Sequence, residues 1–517
     1  MNEILMEQTD FLKDDHQKVN FYALETNKSG LLSQIATVVQ NVLNNFGSIL
    51  ITLYLLSPSF CMLREDVSRS YLISALFIGT GICALVVTLC SNKFTVTGSN
   101  RLGYLVCLLM LFERKRCDAA GDIYAMGPDM RTAEWLQKLN EIQGGVIITC
   151  IVQLFFGLID MNFLVKFIRP VSIAPTMILI GLFVTKTSAM RMASSSPFLF
   201  VITIGLMFCV HSVVYNCSDE KQKSVKLRNK LYVGAICVIV MWSLCAVLST
   251  FELLWMHSAA RTDIYTGVYN YISMFRCSFP FQWGIPEWKS ESIFPVLPAA
   301  FITVFEILAN FHNRQKKTSE TDELQTTSML IKLEAILCLV MNSMGVVIGL
   351  NVGVKKDGRK LTDICTATVL IAVAFSGSLC AFFTMIPEPI VGALIFMTFL
   401  SAILEGFDML KFIDLKLAKN IYVLGISLFM AFFIPLCINE DLEITGKPLI
   451  DRILRCLLST DFIIVSFTAM VMDNLFRVFM EESVTPKKTN TISVPSDGSE
   501  KSVDAPQFCD CLSPFFA

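Results

Sequence analysis

Long apolar runs recur along this chain and limit what it can fold into. A helix needs roughly 17 to 25 residues to cross a hydrocarbon layer of about 30 Å. The chain has 517 residues, of which 54% are hydrophobic and 17% are charged, and its mean hydropathy is +0.60. This is more apolar surface than a soluble core of that size uses. The sequence therefore predicts an all-α protein that crosses the membrane many times.

The apolar runs predict about fourteen segments, two of them shorter than the rest. An even number places both termini on one side of the membrane. Lys221, Lys223 and Lys226 follow the sixth segment, and this positive charge favours cytoplasmic termini. The predicted segments lie at about 31–56, 71–91, 93–111, 144–160, 170–188, 197–216, 231–250, 292–311, 329–350, 362–384, 387–406, 419–438, 447–460 and 461–478.

A single carboxylate, Glu306, lies in the middle of the apolar run at 294–311. An ionisable side chain inside the membrane is costly, and it is usually kept for a substrate, a coupling ion or a proton pathway. Glu306 therefore favours a transporter. A structural role, in which Glu306 pairs with Arg101 to fix helix packing, is the alternative from the residues alone. Glu334 and Lys332 we interpret as a helix-end or interface pair.

Two apolar segments are interrupted by polar and glycine residues, at 94–101 and at 349–354. Interrupted segments at corresponding positions of two repeats indicate a transporter binding site, because they expose backbone groups within the membrane. These two lie seven segments apart in our count, as an inverted repeat predicts. An ordinary helix-breaking turn is the alternative. The candidate residues are Thr97, Gly98 and Ser99 in the first segment and Asn351 and Gly353 in the second.

Other classes of function find little support in the sequence. The net charge of −2 comes with no basic stripe, so we expect no nucleic-acid partner. The four histidines are scattered and most cysteines lie inside apolar runs, so we expect no metal site and no cofactor. No nucleophile–base pair is visible, so we expect no enzyme activity.

Four blocks of sequence resemble those of the nucleobase-ascorbate transporter family, and of its animal branch in particular. They occur in the family's order, and the resemblance extends over about residues 31–478. The most specific block, 279–286, is similar to the family's Gln-Trp-Gly-Leu-Pro motif. The blocks are Trp135 with 141–144, then 174–182, 279–286, and 457–458 with 471–474.

This resemblance implies fourteen segments in two inverted seven-segment repeats, with a core domain that moves solute against a gate domain. It also implies a homodimer in the plasma membrane, and a substrate held between short strand–helix elements in segments 3 and 10. In that scheme Glu306 is the acidic residue of segment 8 that contacts the substrate. The implied substrate-binding residues are Glu306, Asn351, Gly353, Thr97, Gly98 and Ser99.

The domain boundaries follow from the segments and the resemblance. Residues 1–30 lack the pattern of a cleaved signal peptide, so we expect a cytoplasmic N-terminal segment. The first repeat is expected at 31–250, an extracellular loop at 251–291 and the second repeat at 292–478. Residues 479–517 are expected to form a disordered cytoplasmic tail, because they are rich in Ser, Thr, Pro and charged residues.

The chain also departs from the family pattern. Leu350 stands where relatives carry Gln, Glu or Pro, and Gly358 replaces the Thr of the family signature. Asn310 replaces an Asp of ascorbate-type members, Gln40 is followed by Asn rather than His, and Arg101 replaces an apolar or aromatic residue. We take Asn310, Arg101 and Gln40 as candidates for coupling or ion pairing.

Two functions are compatible with this pattern. The first is a secondary active transporter that moves a nucleobase or ascorbate by alternating access, coupled to Na⁺ or H⁺. The second is a non-transporting scaffold or regulatory membrane protein that keeps the transporter fold. Leu350, Gly358 and Asn310 are the residues that favour the second reading.

Overall fold

The computed structural model describes most of the chain between residues 34 and 484. The described ranges are 34–63, 66–114, 127–216, 230–254, 258, 260–262, 275, 278–314, 320–355, 360–438 and 445–484. The expected N-terminal segment, Gly358, nearly all of the expected tail and much of the expected loop at 251–291 lie outside these ranges.

Helices make up most of the described chain, which confirms the all-α prediction. Backbone polar groups inside a membrane find no water, so they must be hydrogen-bonded within the protein, and a helix does this within one segment. The helices are α1 (Gln34–Leu56), α2 (Ser68–Cys90), α3 (Leu102–Arg114), α4 (Pro128–Leu158), α5 (Met161–Phe167), α6 (Pro170–Val184), α7 (Met190–Ser194), α8 (Pro197–Asn216), α9 (Lys230–Thr250), α10 (Ser290–Val296), α11 (Pro298–Arg314), α12 (Glu320–Ser343), α13 (Lys360–Phe375), α14 (Gly377–Thr384), α15 (Glu388–Leu410), α16 (Ala418–Cys437), α17 (Pro448–Leu458) and α18 (Asp461–Val484).

Nine helical stretches in the described part of the chain are long and apolar enough to span a membrane. They include α1, α2, α12, α15 and α16, and three further helices are apolar but shorter, at Leu102–Leu111, Pro197–Val213 and Gly234–Thr250. The chain is therefore a multi-pass membrane protein.

Three predicted runs are not continuous helices. The run at 362–384 breaks at Ser376, whose hydroxyl caps α14 by accepting a hydrogen bond from the Leu379 N–H at 3.4 Å. The run at 329–350 stops being helical after Ser343, because Gly345 has a φ of +81°. The run at 292–311 divides into α10 and α11 beside Pro298. Hydropathy alone does not register such breaks, since the residues beyond each one are equally apolar.

Two short strands pair in antiparallel fashion, β1 (Phe94–Gly98) and β2 (Asn351–Val354). Phe94 lies opposite Val354 and Gly98 opposite Asn351, with an irregularity in the register between Val96 and Gly98. A two-stranded ribbon is marginal by itself. Here the side chains of Phe94, Val96 and Val352 are buried, so the surrounding helices support it.

The chain divides into two compact units. The first comprises Met1–Met161, Gly181–Ile307 and Thr318–Ser401, and it contains both strands. Residues from several of the sequence blocks that resemble the transporter family contact one another in this unit. The Trp283 ring packs edge-on against Trp135 at 5.0 Å, and the Phe281 N–H donates to the Ser343 carbonyl at 2.7 Å.

A polar contact joins the same blocks near the start of α10. Lys289 donates to Glu141 Oε1 at 2.6 Å. The hydrogen bonds that Lys289 donates to Glu141 and Glu287 raise the pKa of its ammonium group. This part of the first unit is therefore held together by both aromatic and charged contacts.

The second unit comprises Asn162–Ile180, Leu308–Lys317 and Ala402–Ala517. Arg169 pairs with the buried carboxylate of Asp473, with Nε donating to Oδ2 at 2.6 Å. Asn474 donates to the Phe167 carbonyl at 3.0 Å. The Asp-Asn pair of the last helix thus ties α18 to the segment between α5 and α6.

Candidate functional site

The carboxylate of Glu306 lies at the N-terminus of α3. Its Oε1 accepts the Gly103 N–H at 2.6 Å, and the Leu102 N–H also points to it. The first N–H groups of a helix have no partner within the helix and attract negative charge. Only a residue without a side chain fits at position 103, because a Cβ there would lie 2.8 Å from the Ala299 carbonyl oxygen. Glu306 is 4% exposed.

Arg101 connects Glu306 to a second carboxylate. One guanidinium nitrogen, Nη1, lies 3.5 Å from Glu306 Oε2, and the other, Nη2, lies 2.9 Å from Glu334 Oε2. Nη1 also donates to Asn351 Oδ1 at 3.2 Å. Arg101 is 3% exposed, so two carboxyl groups and one guanidinium share a buried site. We refer to Arg101, Glu306, Glu334 and Asn351 as the charge cluster.

Glu334 is the residue of this cluster that sequence reasoning missed. The structure does not place it at a helix end or an interface with Lys332. It is 2% exposed, pairs with Arg101, and accepts the Val352 N–H at 3.0 Å. The signal for it was the same as for Glu306, namely a carboxylate within an apolar run. Each carboxylate thus binds a backbone N–H beside one of the two strands.

The turn after β1 is fixed by α1. Ser48 Oγ accepts the Ser99 N–H at 3.0 Å, and the Thr52 hydroxyl donates to the Ser99 carbonyl at 2.9 Å. Gly98 fits closely, since a Cβ at this position would lie 3.2 Å from Ser48 Oγ. Ser99 is fully buried, and α1 holds its backbone at both the N–H and the carbonyl.

Thr97 and Asn351 meet across the strand pair. The exposed Thr97 hydroxyl donates to the Asn351 carbonyl at 3.1 Å. Gly353 allows this approach, because a Cβ on it would lie 2.9 Å from Thr97 Cγ2. Leu350, by contrast, is fully buried. The structure therefore brings Thr97, Gly98, Asn351 and Gly353 together beside the charge cluster.

Replacing Gly353 by Val should force the strands apart at Thr97 and destabilise the site by about 1–3 kcal/mol, the usual cost of overpacking. The melting temperature of the purified protein and its uptake of solute measure this effect. Gly425→Val is the matched control, because a Cβ at Gly425 meets nothing within 4 Å. Equal behaviour of the two variants would remove Gly353 from the site.

Two predicted candidates are not part of the charge cluster. Asn310 follows Glu306 by one helical turn, but its side chain is exposed and it belongs to the second unit. Gln40 lies near the start of α1, two turns before Ser48, and is partly buried. Among the residues that the structure describes, no three His, Cys, Asp or Glu side chains are arranged to hold a metal ion.

The arrangement provides hydrogen-bonding groups rather than reactive ones. The carboxylates of the charge cluster are acceptors and the guanidinium is a donor. The ends of the two strands carry the exposed side chain of Thr97 and the partly exposed side chain of Asn351. Such a set can recognise a small polar molecule.

Comparison with known proteins gives relatives with low identity over long alignments. The chain is 24% identical to human solute carrier family 23 member 2 over 469 residues, which are 84% of this chain and 71% of the relative. It is 23% identical to mouse solute carrier family 23 member 1 over 464 residues, 84% of this chain and 77% of the relative. It is also 23% identical to nucleobase-ascorbate transporter 4 of Arabidopsis thaliana over 401 residues, 74% of this chain and 73% of the relative.

The permease family Xan_ur_permease matches residues 32–440, a range that begins just before α1 and includes both strands and the whole charge cluster. The match extends over well more than half of the sequence, and the protein belongs to this permease family.

Proposed function

We propose that the protein is a secondary active transporter that moves a nucleobase or ascorbate across the membrane by alternating access. The observation that carries this proposal is the pairing of β1 with β2, which brings together two interrupted segments from distant parts of the chain beside a buried carboxylate. Irregular backbone within a membrane protein is tolerated where it is packed in protein or lines a cavity. Transporters use such half-helix ends to hold solutes.

The names of the relatives support the class of solute. Three plant relatives are called nucleobase-ascorbate transporters, and the mammalian relatives are solute carriers. We propose Glu306, Thr97, Gly98, Ser99, Asn351 and Gly353 as the residues that form the substrate site. In this proposal Glu306 accepts hydrogen bonds from the solute, and the residues at the strand ends position the solute.

The structure weakens one of the observations that favoured the scaffold alternative, namely Leu350. Leu350 suggested a lost binding residue, but its side chain is fully buried and fills the protein interior. A buried Leu at position 350 is compatible with transport. Gly358 lies outside the described residues.

We further propose fourteen segments in two inverted repeats, a core and a gate domain, a homodimer, and cytoplasmic termini in the plasma membrane. The strands of segments 3 and 10 and the family membership support the repeat. Cys61, which follows α1, is disulfide-bonded. Disulfides form in oxidising compartments, which supports an extracellular end of α1 and a cytoplasmic N-terminus.

The coupling ion is Na⁺ or H⁺ in this proposal, and Asn310 tests the choice. A neutral amide adds no charge to a sodium site, so we expect weaker sodium dependence than ascorbate-type relatives show. We also expect Asn310→Ala to leave the sodium dependence of uptake unchanged, since its side chain is exposed. Uptake with and without a sodium gradient measures this. A steep sodium dependence that disappears in Asn310→Ala would contradict the expectation and assign Asn310 to coupling.

The transport proposal is tested by uptake of labelled purines, pyrimidines, urate and ascorbate into cells, with and without sodium and proton gradients. Surface expression is measured in parallel. We expect at least one solute to accumulate above vector-only cells in a gradient-dependent way. Normal surface expression without uptake of any of these solutes would favour the scaffold alternative.

A further inference from the structure

We propose that Arg101 is a built-in cation, which occupies the place between Glu306 and Glu334 that two buried carboxyl groups would otherwise offer to a metal cation such as Na⁺. The protein then takes up its solute without Na⁺. The statement on uptake rests on the proposed transport function, whereas the statement on cation binding does not. Of Na⁺ and H⁺, the charge cluster thus excludes Na⁺.

Three side-chain oxygen atoms lie around the guanidinium group of Arg101. Nη1 lies 3.5 Å from Glu306 Oε2 and 3.2 Å from Asn351 Oδ1, and Nη2 lies 2.9 Å from Glu334 Oε2. Carboxylate and amide oxygens are the ligands that hard metal cations prefer. The guanidinium therefore lies among a set of ligands that suits a small metal cation.

The second oxygen atom of each carboxyl group is bound to the backbone. Glu306 Oε1 accepts the Gly103 N–H at 2.6 Å, and Glu334 Oε1 accepts the Val352 N–H at 3.0 Å. These hydrogen bonds hold both carboxyl groups with their Oε2 atoms toward Arg101. A metal ion could bind the two Oε2 atoms together only if the guanidinium moved away.

The guanidinium is a permanent occupant of this place. An arginine side chain does not lose its proton in a protein. Arg101 is 3% exposed, and its backbone N–H donates to the Gly349 carbonyl at 3.1 Å. A Cβ on Gly349 would lie 2.9 Å from Arg101 Cβ, so the chain packs closely where the side chain begins. Moving the guanidinium away would break its contacts with two buried carboxyl groups, which is costly.

A fixed cation and a coupling cation exclude each other at this cluster. A coupling ion has to bind in one step of the transport cycle and leave in another, because only a difference in binding links its gradient to the solute. Arg101 is part of the chain and does neither, and it repels a second cation at close range. Removing its side chain takes the counter-charge away from Glu306 and Glu334. This removal should create a site for a metal cation.

The test measures the melting temperature of the purified full-length protein in NaCl and in choline chloride at equal concentration. The measurements are made at about pH 8.5, because protonation of a buried carboxyl group competes with a metal cation. We expect the wild type to melt at the same temperature in both salts. Arg101→Ala leaves both carboxyl groups and an empty space, so Na⁺ should raise its melting temperature by about 2 °C or more and in a saturable way.

Two matched controls separate a cation site from an effect of Na⁺ on the whole fold. Arg101→Lys keeps a positive charge in the cluster, so Na⁺ should not stabilise it. Arg101→Ala combined with Glu306→Gln and Glu334→Gln keeps the empty space but removes both carboxyl groups, and Na⁺ should not stabilise this triple variant either. If Arg101 were only a structural brace, Arg101→Ala would be destabilised equally in both salts.

A second variant keeps the test valid if Arg101→Ala fails to fold. Arg101→Ala with Glu334→Gln removes one positive and one negative charge together, so the cluster keeps its charge balance. Glu306 and Asn351 remain as oxygen ligands in this double variant. We expect Na⁺ to stabilise it less than Arg101→Ala but more than the triple variant.

Uptake of labelled hypoxanthine, uracil and ascorbate by cells in sodium and in choline medium tests the transport part of the inference. Replacing Na⁺ should change wild-type uptake by less than about twofold, whereas coupled binding typically gives a factor of about 5 or more. Any uptake that Arg101→Ala retains should require Na⁺. Surface expression is measured for both proteins.

The outcomes separate this inference from the transport function. A wild type that Na⁺ stabilises as much as Arg101→Ala, or a double variant that gains no more from Na⁺ than the triple variant, overturns the inference. A steep sodium dependence of wild-type uptake overturns it as well and leaves transport intact. A wild type at the cell surface that takes up none of the solutes contradicts the proposed function. The melting temperatures then still decide whether Arg101 replaces a bound cation.

Discussion

Replacing Arg101 by Met should lower the free energy of unfolding by about 3–5 kcal/mol, the usual cost of leaving a buried charge without its partner. The variant strands two carboxylates, Glu306 and Glu334, which are 4% and 2% exposed. We expect poor expression and a lower melting temperature in detergent. Adding Glu306→Gln and Glu334→Gln should restore both properties, because no unpaired charge then remains in the cluster.

Arg69 offers a matched control for this prediction. It is as deeply buried as Arg101, but its guanidinium donates to the neutral Ser57 hydroxyl at 2.6 and 3.0 Å. Arg69→Met therefore removes a buried arginine without stranding a carboxylate. A loss of stability in Arg101→Met no larger than in Arg69→Met, or no rescue by the two Gln substitutions, would show that the ion pairs do not hold the cluster together.

Glu306→Gln should leave the protein folded and at the cell surface but reduce uptake by about tenfold or more, the loss expected for one charge-assisted hydrogen bond. Glutamine can still accept the Gly103 N–H through its single carbonyl oxygen. Arg101 loses one acceptor but keeps Asn351 Oδ1 at 3.2 Å and its pair with Glu334 at 2.9 Å. The fold is spared because Arg101 is not stranded, while the solute loses a charged acceptor.

Glu334→Gln separates the position of Glu306 from the charge of the cluster. This substitution also removes one carboxylate that pairs with Arg101, and Glu334 is about as buried as Glu306. We expect a clearly smaller loss of uptake for Glu334→Gln. Equal losses would assign the effect to charge balance, and loss of surface expression in Glu306→Gln, rescued by Arg101→Met, would make the pair structural.

The sequence was sufficient to predict the membrane class and the residues around the two strands. Thr97, Gly98, Asn351 and Gly353 could be identified because Gly and polar residues interrupt apolar runs, and such interruptions must be packed in protein. Glu306 stood out for a similar reason, since an isolated carboxylate in an apolar run is costly. These signals depend only on neighbouring residues, so a single sequence shows them.

The partners of these residues could not be predicted in the same way. Arg101 and Glu306 are 205 positions apart in the numbering, and Arg101 and Glu334 are 233 apart, so no spacing rule relates them. Arg101 was a candidate without an assigned partner beyond Glu306, and Glu334 was placed in another role. The break at Ser376 was missed because the residues on both sides are apolar. Tertiary packing determines both the partners of Arg101 and the helix break at Ser376.

Solute counterflow in proteoliposomes tests the central claim of alternating-access transport most directly, because it requires no knowledge of the coupling ion. Purified protein is reconstituted in vesicles loaded with unlabelled hypoxanthine, uracil or ascorbate and diluted into trace labelled solute. We predict a transient accumulation of label that depends on the internal solute and is strongly reduced by Glu306→Gln. Label that enters no faster than into protein-free vesicles, for every solute and with protein that is folded, would contradict transport.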